Sequence, residues 1–141
     1  MGNQTTMTKL ISFGLLLLTL LLPSHTMAED AEDQGEPETL YVELKPAFVT
    51  NYLSRKMGYI KADVTLQVSG SATAAAIERH KPAIRHNLVM LFSRQEEAAL
   101  GTVEGKQALK ETALQEVISA LQQEGEPSDI TDILFTSFIV D

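Results

Sequence analysis

The chain has 141 residues, 44% of them hydrophobic, with 19 acidic side chains against 11 basic ones and a formal net charge of −8. An acidic chain without a basic stripe excludes nucleic acid as a partner, because phosphates need Lys and Arg to neutralise them. There is no cysteine, which removes disulfides, thiolate metal sites, thiol nucleophiles and lipoprotein processing, so stability must come from an ordinary apolar core.

Lys9 is the only charge before an apolar run over residues 10–22, which Pro23-Ser24-His25 ends. Thr26 and Ala28 then put small side chains where signal peptidase reads them, the layout of a secretory leader cleaved after Ala28. The competing reading of residues 1–28 is a short, uncleaved membrane anchor. An apolar helix of that length, at about 1.5 Å per residue, reaches only about 20 Å against a hydrocarbon core of about 30 Å, which favours cleavage. Residues 29–39 hold Glu29, Asp30, Glu32, Asp33, Glu36 and Glu38 with Gly35, Pro37 and no basic residue. Such a segment cannot bury a core and is expected to be a solvated, self-repelling linker. About one hundred residues remain at 40–141, enough for one domain and too few for two.

Within that domain Leu40, Val42 and Leu44 alternate with Tyr41, Glu43 and Lys45, the period of a strand with one buried face. Pro46 deletes a ladder donor, so the strand is expected to be an edge or to be bulged there, with Ala47-Phe48-Val49 resuming it. The strongest strand starts at Tyr59: Ile60, Ala62, Val64, Leu66 and Val68 point one way, Lys61, Asp63, Thr65 and Gln67 the other. A first helix over 74–93 is predicted, N-capped near Thr73, with Ile77, Ile84, Leu88 and Leu91 on a single stripe. Pro82 should kink it or mark the start of another helix. A second helix over 102–123 is capped by Thr102, has Glu104 against its N-terminal dipole, and turns Leu109, Leu114, Val117, Ile118 and Leu121 to the core. Glu124-Gly125-Glu126-Pro127 stops it. Residues 130–140 read as a final strand, expected to pair inside the sheet because so apolar a strand is an aggregation hazard at an edge. The order β-β-α-α-β makes an α+β domain, a small antiparallel sheet carrying two helices on one face.

The chemistry-bearing residues form no constellation. His80 and His86 lie six apart on a helix and differ by about 240° in direction, so they cannot share a metal. The stretch from Gly101 through Gly105-Lys106 to Gln107 is one residue short of a phosphate loop and has no Ser or Thr after the lysine. Glu96 and Glu97 are adjacent and diverge, whereas a glycosidase pair stands roughly 5–9 Å apart across a cleft. Ser93, Ser119, Ser128 and Ser137 lack a nucleophile elbow and a histidine base. The expectation is no catalytic residue, no cofactor-binding residue and no metal ligand. Arg79, Lys81 and Arg85 give the first helix a basic patch, read either as a solvated face or as a contact surface for an acidic partner, the linker included.

The words Gly58-Tyr59-Ile60-Lys61, then Ile77-Glu78-Arg79-His80, Pro82 and Ile84-Arg85, then Gly105-Lys106, then Phe135-Thr136-Ser137-Phe138 follow one another across most of residues 40–141. In this order they resemble the periplasmic domain of the FliL family of flagellar basal-body-associated proteins. The resemblance implies a stomatin-like α+β domain at the periplasmic face of the inner membrane. It also implies a non-enzymatic role beside the stator units of the motor, supporting stator function and motility through protein contacts. The partners it implies are the periplasmic region of the stator, basal-body proteins and further copies of the chain in a ring. The front of the chain differs from a typical member: the apolar run is short, one lysine flanks it and a cleavage site follows. Membrane association is expected only if that leader stays on. The other class of function compatible with the same residues is a soluble periplasmic envelope adaptor or binding module unrelated to motility.

Overall fold

The computed structural model describes residues 37–141. The expected leader, its cleavage after Ala28 and the acidic residues 29–36 lie outside the described residues. Strands β1 (Thr39–Glu43), β2 (Phe48–Asn51) and β3 (Tyr59–Ser69) come first. Helices α1 (Ser71–Ser93), α2 (Glu97–Leu100) and α3 (Val103–Gln123) follow, and β4 (Ile130–Val140) closes the domain.

β3 is the centre of the sheet because it is the longest run of strict alternation. Its inner face, Ile60, Ala62, Val64, Leu66 and Val68, is buried throughout. β4 lies antiparallel along one edge of β3, from Val68 opposite Ile130 to Ile60 opposite Val140. A strand has only two edges, so β1 and β2 share the other one end to end. β1 pairs from Thr39–Ser69 to Glu43–Thr65, and β2 from Phe48–Ala62 to Asn51–Tyr59. Pro46 sits in the break after a cis peptide bond, where its missing donor ends one ladder before the next begins. Between the two pieces the Leu44 amide still donates to the Val64 carbonyl at 2.9 Å. The expected resumption at Phe48 is therefore observed, as a second strand in line with the first.

The helices cover the inner face of the sheet, and the domain is α+β as the alternation predicts. Ile77, Ile84, Leu88 and Leu91 of α1 are all buried, as are Leu109, Val117 and Leu121 of α3, while Leu114 and Ile118 pack against the core partly exposed. Phe92 joins the layers. Its ring meets Phe48 of β2 edge-on at 5.6 Å and Phe135 of β4 at 5.9 Å, and Phe135 stacks on Phe138 at 5.3 Å.

Thr102 caps α3 as predicted, its hydroxyl accepting from the Gly105 amide at 3.0 Å. The stop after α3 is a Schellman turn: Gly125 at φ 69° donates to the Gln122 carbonyl, and the Glu126 amide reaches back to that of Leu121.

Four features differ from the sequence reading. α1 begins at Ser71 behind Gly70, whose φ of 85° lets the chain turn from strand to helix in one residue; Thr73 is not the cap. Thr73 is instead buried inside the helix and ties it to the start of β4, its hydroxyl accepting from the Asp129 amide at 3.2 Å. α1 also continues through Pro82 as one helix, so no second helix starts there. Pro82 and Glu78 are both exposed, so the carbonyl that Pro82 leaves without a donor can be solvated. A one-turn helix, α2, precedes α3. Finally, β4 pairs with β3 alone and is an edge strand, not an interior one. Two bulges twist it: Thr136 and Thr131 have no partner residue, and their hydroxyls donate to the β3 carbonyls of Asp63 at 3.4 Å and Gln67 at 3.1 Å. Bulges are one of the devices that protect an exposed edge, which is how so apolar a strand can stand there.

Candidate interaction surfaces

The basic face of α1 is engaged within the domain. Arg85 is partly buried, and its guanidinium donates to the carbonyls of Leu44 and Pro46, the latter at 2.6 Å, while lying 4.1 Å from the centre of the Phe48 ring. It thereby satisfies backbone acceptors that the break between β1 and β2 leaves without ladder partners. Burial lowers the Arg85 pKa from its ordinary value, yet a guanidinium stays charged at any pH a protein meets. Both hydrogen bonds leave the same nitrogen, Nη1, and a lysine ammonium could donate to those carbonyls, but it has no planar face to stack on the Phe48 ring while doing so. Arg85→Lys is therefore expected to lose about 1–2 kcal/mol of stability, seen as a lower urea midpoint. A midpoint unchanged from wild type would show that the stacked guanidinium is dispensable.

Arg79 and His80 converge on Glu126, just after the Schellman turn: Arg79 Nη2 donates to one carboxylate oxygen at 2.6 Å and His80 Nε2 lies 3.0 Å from the other. Lys81 pairs with Glu78 one turn back at 2.7 Å. His80 is thus a structural partner of the α3 stop, and His86 stands apart on an exposed position. Among the described residues no group of three His, Cys, Asp or Glu could hold a metal.

The Glu126 carboxyl is held below its ordinary pKa of 4.5, first by the Arg79 hydrogen bond and then by that of His80. A depressed carboxyl stabilises the fold above its unfolded pKa and loses that contribution as pH falls through the folded value. Thermal stability is accordingly expected to decline as pH drops below about 4.5, and Glu126→Gln to flatten that decline. Identical acid profiles for the two proteins would contradict the assignment.

Gly105-Lys106 is where α2 and α3 meet. A Cβ on Gly105 would overlap the carbonyl oxygen of Ala99, so close packing against α2 accounts for this glycine. Glu96 and Glu97 border the 53–55 loop: Ser54 donates to the Glu97 carboxylate at 2.8 Å, and the backbones of Leu53 and Glu96 form an isolated parallel bridge.

A surface the sequence reading missed lies between α3 and β4. It is a groove of about 440 Å³ whose lining includes Val103, Lys106, Lys110, Leu134, Phe135 and Phe138. Val103 is 79% exposed although apolar, and Leu134-Phe135 breaks the period of two. Of the two, only the unbroken apolar run Ile133-Leu134-Phe135 is visible in the chain itself, and it is the signal that could have pointed to the groove. Lys110 is paired with Asp132 of β4 at 2.9 Å, whereas Lys106 has no ion-pair partner among the described residues.

The family model of the flagellar basal body-associated protein FliL matches residues 41–140, which spans both edges of the sheet and all three helices. The flagellar protein FliL of Escherichia coli strain K12 is 32% identical over 120 residues, covering 83% of this chain and 76% of that protein. The same figures hold for the FliL of Shigella flexneri. The FliL of Aquifex aeolicus is 24% identical over 98 residues, covering 69% of this chain and 58% of its own length. Among the described residues no helix is long and apolar enough to cross a membrane.

Proposed function

This chain belongs to the FliL family of flagellar basal body-associated proteins, and from that premise we propose that it is a non-enzymatic accessory of the flagellar motor. It acts through contacts with the periplasmic region of the stator and with basal-body proteins. The observation that carries this reading is the extent of the family match, residues 41–140. The whole folded unit, not a fragment of it, is what the family shares. No catalytic, cofactor-binding or metal-binding residue is assigned, and the chemistry of the described residues suits such a role. Arg79 and His80 with Glu126, and Lys110 with Asp132, tie neighbouring elements of the domain together, and Lys81–Glu78 lies within α1.

In this reading residues 1–28 are the leader or anchor, residues 29–39 a linker, and residues 40–141 a domain on the periplasmic side of the inner membrane. The domain would bind the engaged form of the stator more tightly than the free form, and so shift the population toward engagement by that difference in affinity. A ring of such domains needs a head-to-tail interface whose rotation closes. Deletion of the protein is expected to reduce swimming or swarming and to shorten stator dwell times at the motor, measured with a fluorescent stator subunit. Normal motility with unchanged dwell times would reject the motor role in favour of an envelope adaptor.

A further inference from the structure

We propose that the free edge of β4, with the groove beside α3, binds an extended peptide segment of a partner protein that alternates apolar residues and carries a carboxylate. The inference rests on the reading that the domain works by protein contact. It names a site and a ligand chemistry for that contact.

Three observations place the site. First, no described strand pairs with the outer edge of β4, so its main-chain donors and acceptors there are open to a new strand. Second, the groove opens at that edge. Leu134 lies opposite Thr65 and Phe135 opposite Val64, so the two point to opposite faces of the sheet. A cavity lined by both, and by Phe138, must run along the strand's rim. Third, Lys106 stands in the first turns of α3, where a cation opposes the helix dipole, and it has no acidic partner among the described residues. It contributes nothing evident to the fold, and an incoming carboxylate supplies the missing charge.

The bulges at Thr131 and Thr136 bound the site. Between them residues 132–135 remain regular, and past Thr136 the regular pairing resumes to Val140. An added strand would set alternate side chains on the apolar lining of Val103, Phe135 and Phe138. Its carboxylate would reach Lys106, while Lys110 stays with Asp132. The bulges that discourage long edge-to-edge pairing leave room for a short peptide.

The test uses purified full-length protein and a fluorescein-labelled peptide about eight residues long, alternating valine and threonine with one central glutamate. Fluorescence polarisation is expected to show saturable binding on the order of 10–100 µM. Lys106→Glu should weaken it at least about tenfold, and exchanging the peptide's glutamate for lysine should restore binding to that variant alone. N-methylation of alternate peptide amides should abolish it, which a merely hydrophobic groove would not require. Circular dichroism of the variant checks that this exposed helical site leaves the fold intact.

No saturation up to about 1 mM, equal binding by Lys106→Glu, or binding that survives N-methylation would overturn the proposal. So would a Lys106→Glu variant that changes only self-association, since the edge would then serve a second copy. No motor is present in the assay. Failure here leaves the motor role standing, and normal motility in a deletion strain leaves the peptide result standing.

Discussion

Phe92→Ala is expected to cost about 3–5 kcal/mol of folding stability, a large part of the 5–15 kcal/mol that a domain of this size typically has. Phe92 is fully buried at the C-terminal end of α1. Its ring meets Phe48 on one edge of the sheet and Phe135 on the other, so through it α1 holds both edges at once. Removing it leaves a cavity that cannot collapse from either side without pulling β2 or β4 away from β3. Urea denaturation followed by circular dichroism measures the loss. A cost below about 1 kcal/mol would mean that the three rings repack freely and that the layers are not joined there. Phe92→Leu should lose much less, because most of the volume is kept.

The second large effect concerns Gly105, where the expected sign is opposite to the usual one. In an ordinary helix Gly→Ala stabilises by about 0.5–1 kcal/mol, because the unfolded chain loses freedom. Here the added Cβ would overlap the Ala99 carbonyl oxygen. That oxygen is backbone and is held in place: the Thr102 amide donates to it at 3.2 Å and the Thr102 hydroxyl at 3.1 Å. The same hydroxyl accepts from the Gly105 amide, so a shift that relieved the overlap would also loosen the cap of α3. Gly105→Ala is expected to destabilise by about 1–3 kcal/mol net. Gly101→Ala is the control. Its Cβ would meet the nearest atom, the Glu97 carbonyl oxygen, at 3.6 Å, an ordinary contact, and its effect should stay within about 0.5 kcal/mol. Stabilisation by Gly105→Ala would show that α2 moves aside at little cost and that the glycine is not required for packing.

These two residues illustrate what was legible beforehand. Phe92 is one place beyond the Ile77-Ile84-Leu88-Leu91 stripe, and the helical period alone does not single it out. Gly105 stands out in the chain only as half of a Gly-Lys pair whose spacing does not make a phosphate loop, and the Ala99 carbonyl against it is what explains the glycine. Arg79, Lys81 and Arg85 read as one basic patch because helical spacing brings them near each other. The structure disperses them to Glu126, to Glu78 and to the carbonyls beside Pro46.

The alternation of β3, the apolar stripes of α1 and α3, the Thr102 cap and the Gly125 stop could all be read from the chain by itself. So could the strand break at Pro46 and the α+β class. Each depends on how a residue divides between water and core, or on a hydrogen bond to a near neighbour, and short windows carry that information. The edge position of β4, the anchoring of Arg85, the cluster on Glu126 and the groove beside Lys106 were decided only when the chain closed. They depend on distances between segments tens of residues apart. Many arrangements bury the same apolar faces equally well and differ in which charges meet and which strand edge stays open.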